Sequence, residues 1–152
     1  MIVAISGKDT LVYRGKILTG LADGNAGELT FPNELMKVKI GKNGNGLFAL
    51  DTTGQMAELK LRVVRGCADD KMLLGDLNSQ QNDPPGTVLV PMQFTKRIGD
   101  GTGSVTSDVY SLSGGVFTKM PEVKDNVEGD TEQSVTIYTL RFSNNPTPRT
   151  LT

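Results

Sequence analysis

Apolar and polar residues alternate along much of this chain, and the breaks in the alternation mark its elements. In 10–18, Val12, Arg14, Lys16 and Leu18 fall on one side of an extended backbone, with Leu11, Tyr13 and Ile17 on the other. The stretch GLADGNAG (20–27) reads as a loop by its glycine, Asp and Asn content. Extension resumes over 28–41, where Pro32-Asn33 marks a bend or a bulge. From Met36 the alternation is strict, with Met36, Val38 and Ile40 opposite Lys37 and Lys39. Residues 57–66 repeat it, with Leu59, Leu61 and Val63 opposite Glu58, Lys60 and Arg62. These two runs flank a glycine-rich stretch and predict one long hairpin.

The period lengthens within 67–83. Met72, Leu73 and Leu77 share a helical stripe, and Asp69 and Asp70 sit in a first turn, where the helix dipole favours negative charge. Pro84 and Pro85 cannot continue a helix, so one is expected over 68–80. Alternation returns at 87–98 through Val88, Val90, Met92 and Phe94. GDGTGS then turns the chain into an extended run over 108–121, in which Gly114-Gly115 suggests a bulge or a close backbone approach. An acidic loop follows (122–133), then a last strand (134–143) and an extended, loose tail (144–152). The expected product is a single domain over 1–152, mainly β with one short α-helix. Strands and the long hairpin occupy 10–66, the helix 68–80 and further strands 87–143, and a sandwich or barrel is the economical package.

Composition narrows the chemistry. With 37% apolar and 22% charged residues among 152, the chain is neither disordered nor membrane-like, and no apolar run approaches the ~20 residues of a membrane span. The start, MIVAISGKDT, has no basic residue before its apolar run and lacks the apolar length of a secretory signal, and a single cysteine excludes an internal disulfide, so a reducing cytoplasm is expected. A formal net charge of −1 is a poor balance for tight nucleic-acid binding. The absence of histidine removes the usual general base and every Ser-His or Cys-His dyad.

Individual motifs are equally unpromising for catalysis. GKNGNG (41–46) has its lysine too early for a phosphate-binding loop and is followed by LFAL rather than a helix, while SGKDT has Asp9 where Ser or Thr is required. Asp23, Asp69, Asp70, Asp76 and Asp125 lack the spacing of a calcium loop. Cys67 reads as a half-buried core thiol. Lys37, Lys39, Lys60 and Arg62 form basic strand faces without the aromatics of a base-stacking surface. No enzyme activity, metal or cofactor is expected.

The segments GKNGNGLFAL, ELKLRVVRG and ADDKMLLGDLN, in that order, carry a resemblance to the tail tube protein of contractile-tailed bacteriophages, which extends over residues 10–143. The resemblance implies a β-sandwich or small-barrel subunit, related in fold to the inner tube proteins of type VI secretion, that forms hexameric rings stacked into a tube. It implies a virion protein assembled in the host bacterial cytoplasm. Its partners would be further copies of itself, the tail sheath protein, a tape-measure protein in the lumen, and baseplate and tail terminator proteins. DNA would be met only in transit, with no membrane anchor. The basic strand faces depart from an acidic lumen wall; facing the sheath-side layer or pairing with Glu58 and its neighbours would account for them. The alternatives are a tailocin or type VI-like inner tube component, an immunoglobulin-like binding module and, last, a histidine-free hydrolase.

Within this frame Gly41, Lys42, Asn43, Gly44, Asn45, Gly46, Leu47, Phe48 and Leu50 are expected to form a hairpin tip docked on the adjacent ring. The glycines free the backbone, and the three apolar residues act as anchors. The competing expectation places Leu47, Phe48 and Leu50 in a strand of the home core. Glu122, Asp125, Glu128, Asp130 and Glu132 are expected either to face a sheath subunit or to form a solvated loop.

Overall fold

A computed structural model describes residues 4–7, 9–22, 26–125 and 131–152. Its strands are β1 (Ile5–Ser6), β2 (Thr10–Tyr13), β3 (Lys16–Ile17), β4 (Gly27–Thr30), β5 (Met36–Ile40), β6 (Gly46–Leu50) and β7 (Ala57–Val64). The helix α1 (Ala68–Asn82) follows, then β8 (Val90–Gly99), β9 (Val105–Phe117), β10 (Glu122–Val123), β11 (Val135–Phe142) and β12 (Arg149–Leu151). All strand pairings are antiparallel. The main sheet runs β3-β2-β8-β9-β11-β7-β4, with β1 added to β8, β10 to β11 and β12 to β9. Among the described residues β5 and β6 pair only with each other.

The core lies on one face of this sheet. β7 contributes Ala57, Leu59, Leu61 and Val63, β11 contributes Tyr138, Leu140 and Phe142, and α1 contributes Leu73 and Leu77. The sheet curls until its ends approach: a Cβ built on Gly27 of β4 would lie 3.9 Å from Leu11 Cδ2 on β2. Among the described residues no strand pairs across that gap, so the sheet stays open and does not close as a barrel, one of the two packages expected. The gap is an apolar slit of about 320 Å³ lined by Leu11, Leu29, Phe31, Met92 and Phe94 among others.

Three aspartates hold α1 in place, one through the segment after β3 and two through tyrosines of the sheet. Asp69 accepts from the Thr19 and Gly20 backbone N–H groups at 2.8 and 2.6 Å. Asp70 accepts from the Tyr138 hydroxyl at 2.5 Å, and Asp76 from the Tyr13 hydroxyl at 2.7 Å. Burial first, then the bond to a carboxylate, pushes both phenols above their usual range. Cys67 caps the helix, its Sγ accepting from Asp70 N–H at 3.3 Å, and is half-buried as the sequence suggests. The helix runs two residues past the expected 80, to Asn82.

Other expectations change. The run 10–18 is broken at Arg14-Gly15, whose φ angles of +50° and +80° make the tight turn that folds β3 back on β2. β7 is not the partner of β5; it lies between β11 and β4 in the main sheet, and the hairpin closes through β6 instead. Val88 precedes β8 and is exposed. The tail is not loose, because β12 pairs with β9 and Arg149 donates to both Asp108 carboxylate oxygens at 2.9 and 3.0 Å. The bulge at Gly114-Gly115 is present: the register steps from Val90↔Gly115 to Met92↔Leu112, with Gly114 at φ +69°. No helix among the described residues is long and apolar enough to cross a membrane.

Candidate functional site: an amphipathic arm

The ribbon β5–β6 begins with strict alternation and ends in a turn that its glycines permit. Gly41 N–H donates to Asn45 C=O at 2.8 Å and Gly44 N–H to Gly41 C=O at 3.0 Å, with Gly44 at φ +82°. The Asn43 side chain accepts from Asn45 N–H at 3.3 Å. GKNGNG is therefore a hairpin tip held by its own backbone. The register Met36↔Leu50, Val38↔Phe48 and Ile40↔Gly46 puts Met36, Val38, Ile40, Phe48 and Leu50 on one face. Lys37, Lys39, Leu47 and Ala49 occupy the other. Every residue of both strands is exposed, Phe48 at 65%. Leu47, Phe48 and Leu50 thus lie outside the home core.

Such a ribbon is marginal in water alone, and its base supplies the missing rigidity. Asp51 N–H donates to Leu35 C=O at 2.8 Å, and the Asn33 amide to Thr53 C=O at 3.1 Å. The Asp51 carboxylate accepts from the Thr53 hydroxyl and backbone N–H at 2.8 and 3.1 Å, with Lys37 Nζ 3.4 Å away. The Thr53 bonds foremost, with Lys37 adding less, hold its pKa below the usual carboxylate range. Gly54 is buried so closely that any Cβ would collide with the Glu34 carbonyl oxygen and Leu35 Cα. Behind it, buried Asn145 donates to Gln55 C=O through its N–H (3.2 Å) and side-chain amide (3.4 Å), and accepts from Ser113 N–H at 3.1 Å. The clamp residues Asp51, Gly54 and Asn145 were missed at the sequence level; D-T-T-G after a strand was the available signal.

The nine residues expected at the hairpin tip are all brought together here. The acidic stretch is more dispersed. Glu122 lies in β10 beside Ile137, and Asp125 accepts from Arg65 Nη1 at 2.9 Å. Glu132 falls in a helical turn over Thr131–Ser134, and Glu128 and Asp130 lie outside the described residues. Glu58 pairs with Arg141 at 3.2 Å and Lys37 with Asp51 at 3.4 Å, so for Lys37 the option of pairing with Glu58 is not the one taken. No protein-family model matches the chain, and no curated protein matches it in sequence.

Proposed function

We propose that this chain is a self-assembling structural subunit, the inner tail tube protein of a contractile phage tail, forming hexameric rings stacked into a conduit for DNA. The arm carries this reading: an apolar face of five side chains, held away from its own core by a rigid base, is a liability on a solitary molecule. An open sheet whose borders at β3 and β4 have no further strand among the described residues points the same way, since ring closure covers edges that otherwise aggregate. Donor and acceptor surfaces that differ give head-to-tail contacts, which close into rings or run on as filaments. In this reading the sheath surrounds the tube and the tape-measure protein fills it. Baseplate and terminator cap its ends, and the virion is its location. The sheath-facing role of the acidic stretch rests on Glu122 and Asp125 alone among the described carboxylate side chains.

Electron microscopy of concentrated protein tests the reading, with stacked rings or tubes expected. Phe48→Asp is expected to abolish tubes while leaving a folded subunit. A wild-type chain that stays monomeric at every concentration would overturn it.

A further inference from the structure

A second apolar surface lies at the C-terminal end of α1. Residues 84–89 lead into β8 and, with the end of β9, bound a cleft of about 790 Å³. Leu77 and Phe117 are its buried lining, and Leu89 and Met120 are 57% and 60% exposed. The adjacent strand edge is already taken. The Gln80 side chain donates to Phe117 C=O at 2.8 Å and accepts from Phe117 N–H at 3.0 Å, as a neighbouring strand would. The cleft therefore offers side-chain surface rather than backbone, which suits a ribbon whose strands are paired with each other and which presents an apolar face.

Charge favours one end of the cleft, beside the helix C-terminus, for a cation. From 35 to 50 the arm carries Lys37, Lys39 and Lys42 and no acidic residue. The last turn of α1 has no basic residue, and Asp83 follows it as the C-cap. A helix C-terminus with a carboxylate attracts a cation. Lys37 and Lys39 face away from the apolar side, so Lys42 at the tip is the cation placed to reach it. Lys119 also lines the cleft.

We infer that the cleft at the end of α1 receives the apolar face of the arm from a second copy of this chain, with Phe48 as the anchor. The inference rests on the tube reading and names the acceptor that reading leaves open. The clamp at Gly54 and Asp51 holds the arm with its apolar face uncovered, so the occupant comes from another molecule. Because arm and cleft are different surfaces, each copy can give one and receive one, and the contact propagates.

Cysteine trapping tests it in a Cys67→Ser background, where serine keeps a helix cap. Phe48→Cys and Met120→Cys proteins are mixed under assembly conditions and oxidised with a copper–phenanthroline catalyst. A mixed 48–120 disulfide dimer is expected, and Leu47→Cys, from the other face, gives much less. Leu89→Asp is expected to keep its thermal unfolding transition and lose the stacks. Tubes that form without a 48–120 link, or with Phe48→Cys joined instead to Phe31→Cys at the slit, overturn this inference and leave the tube reading standing. A wild-type chain that neither assembles nor cross-links at any concentration overturns both.

Discussion

β5 and β7 are written in the same code and meet opposite fates. Met36, Val38 and Ile40 alternate with lysines, and Leu59, Leu61 and Val63 alternate with Lys60 and Arg62. Yet the apolar face of β7 is 0–4% exposed while that of β5 is 43–70% exposed. Alternation makes a strand two-faced; it does not say what will cover the apolar face. β7 has a strand on either side and helix α1 over the shared core. β5 has one neighbour, as exposed as itself. An uncovered face of this quality, retained by a built clamp, is consistent with a subunit that is finished by its own kind.

The sharpest way to break that contrast is to place the same charge in each strand. Leu61→Asp buries a carboxylate where Leu61 is fully enclosed, and a loss of at least about 4 kcal/mol is expected, enough to unfold a marginal domain. Phe48→Asp in the arm is expected to shift subunit stability by no more than about 0.5 kcal/mol, read by thermal denaturation, while microscopy shows no tubes. Equal losses in the two variants would mean that the arm belongs to the folding unit.

Gly54→Val tests the clamp. Its Cβ has no room against the Glu34–Leu35 backbone, so a cost of about 1–3 kcal/mol is expected, with amide exchange rising over 35–51 before the core opens. Asn145→Ala removes the side-chain bonds to Gln55 and Ser113 while its backbone N–H keeps Gln55, and about 1–2 kcal/mol is expected by denaturant titration. The smallest effect is acidic. Asp51 has a folded pKa below its unfolded value, so its contribution is present above the ordinary carboxylate pKa and is lost as pH falls through the lowered one. Protection of the Thr53 amide, its exchange rate taken relative to an unstructured amide at the same pH, should fall across that acidic window, and Asp51→Asn should show no such fall.

Much of the fold was legible where one local signal was sufficient. The 3.6-residue stripe with its aspartates and the Pro84-Pro85 stop located α1 to within two residues, and Gly114-Gly115 marked the bulge. Legibility failed where identical patterns compete or partners are remote. Nothing in MKVKI says that GLFAL is its partner rather than AELKLRVV, because AELKLRVV alternates as MKVKI does while GLFAL is a continuous apolar run. Arg14 and Lys16 fitted a continuous strand as well as they fitted a turn. Asp70 read only as a first-turn helix charge and Asp76 as a carboxylate without calcium-loop spacing, because their tyrosine partners lie more than sixty residues away. The arm's apolar anchors were visible in LFAL, but Gly54 against Glu34, and Asn145 against Gln55, exist only once the chain has closed on itself.

Gln80 has a consequence of a different kind. It stands in for a missing strand with a carboxamide, and a carboxamide can hydrolyse to an acid, as a peptide ladder with its paired groups does not. The carboxylate would keep an acceptor for Phe117 N–H but set oxygen against the Phe117 carbonyl, with no proton to bridge them at neutral pH. Slow deamidation in storage would thus unguard this border of β9, and aged protein would gain a site for irregular sheet-to-sheet fusion.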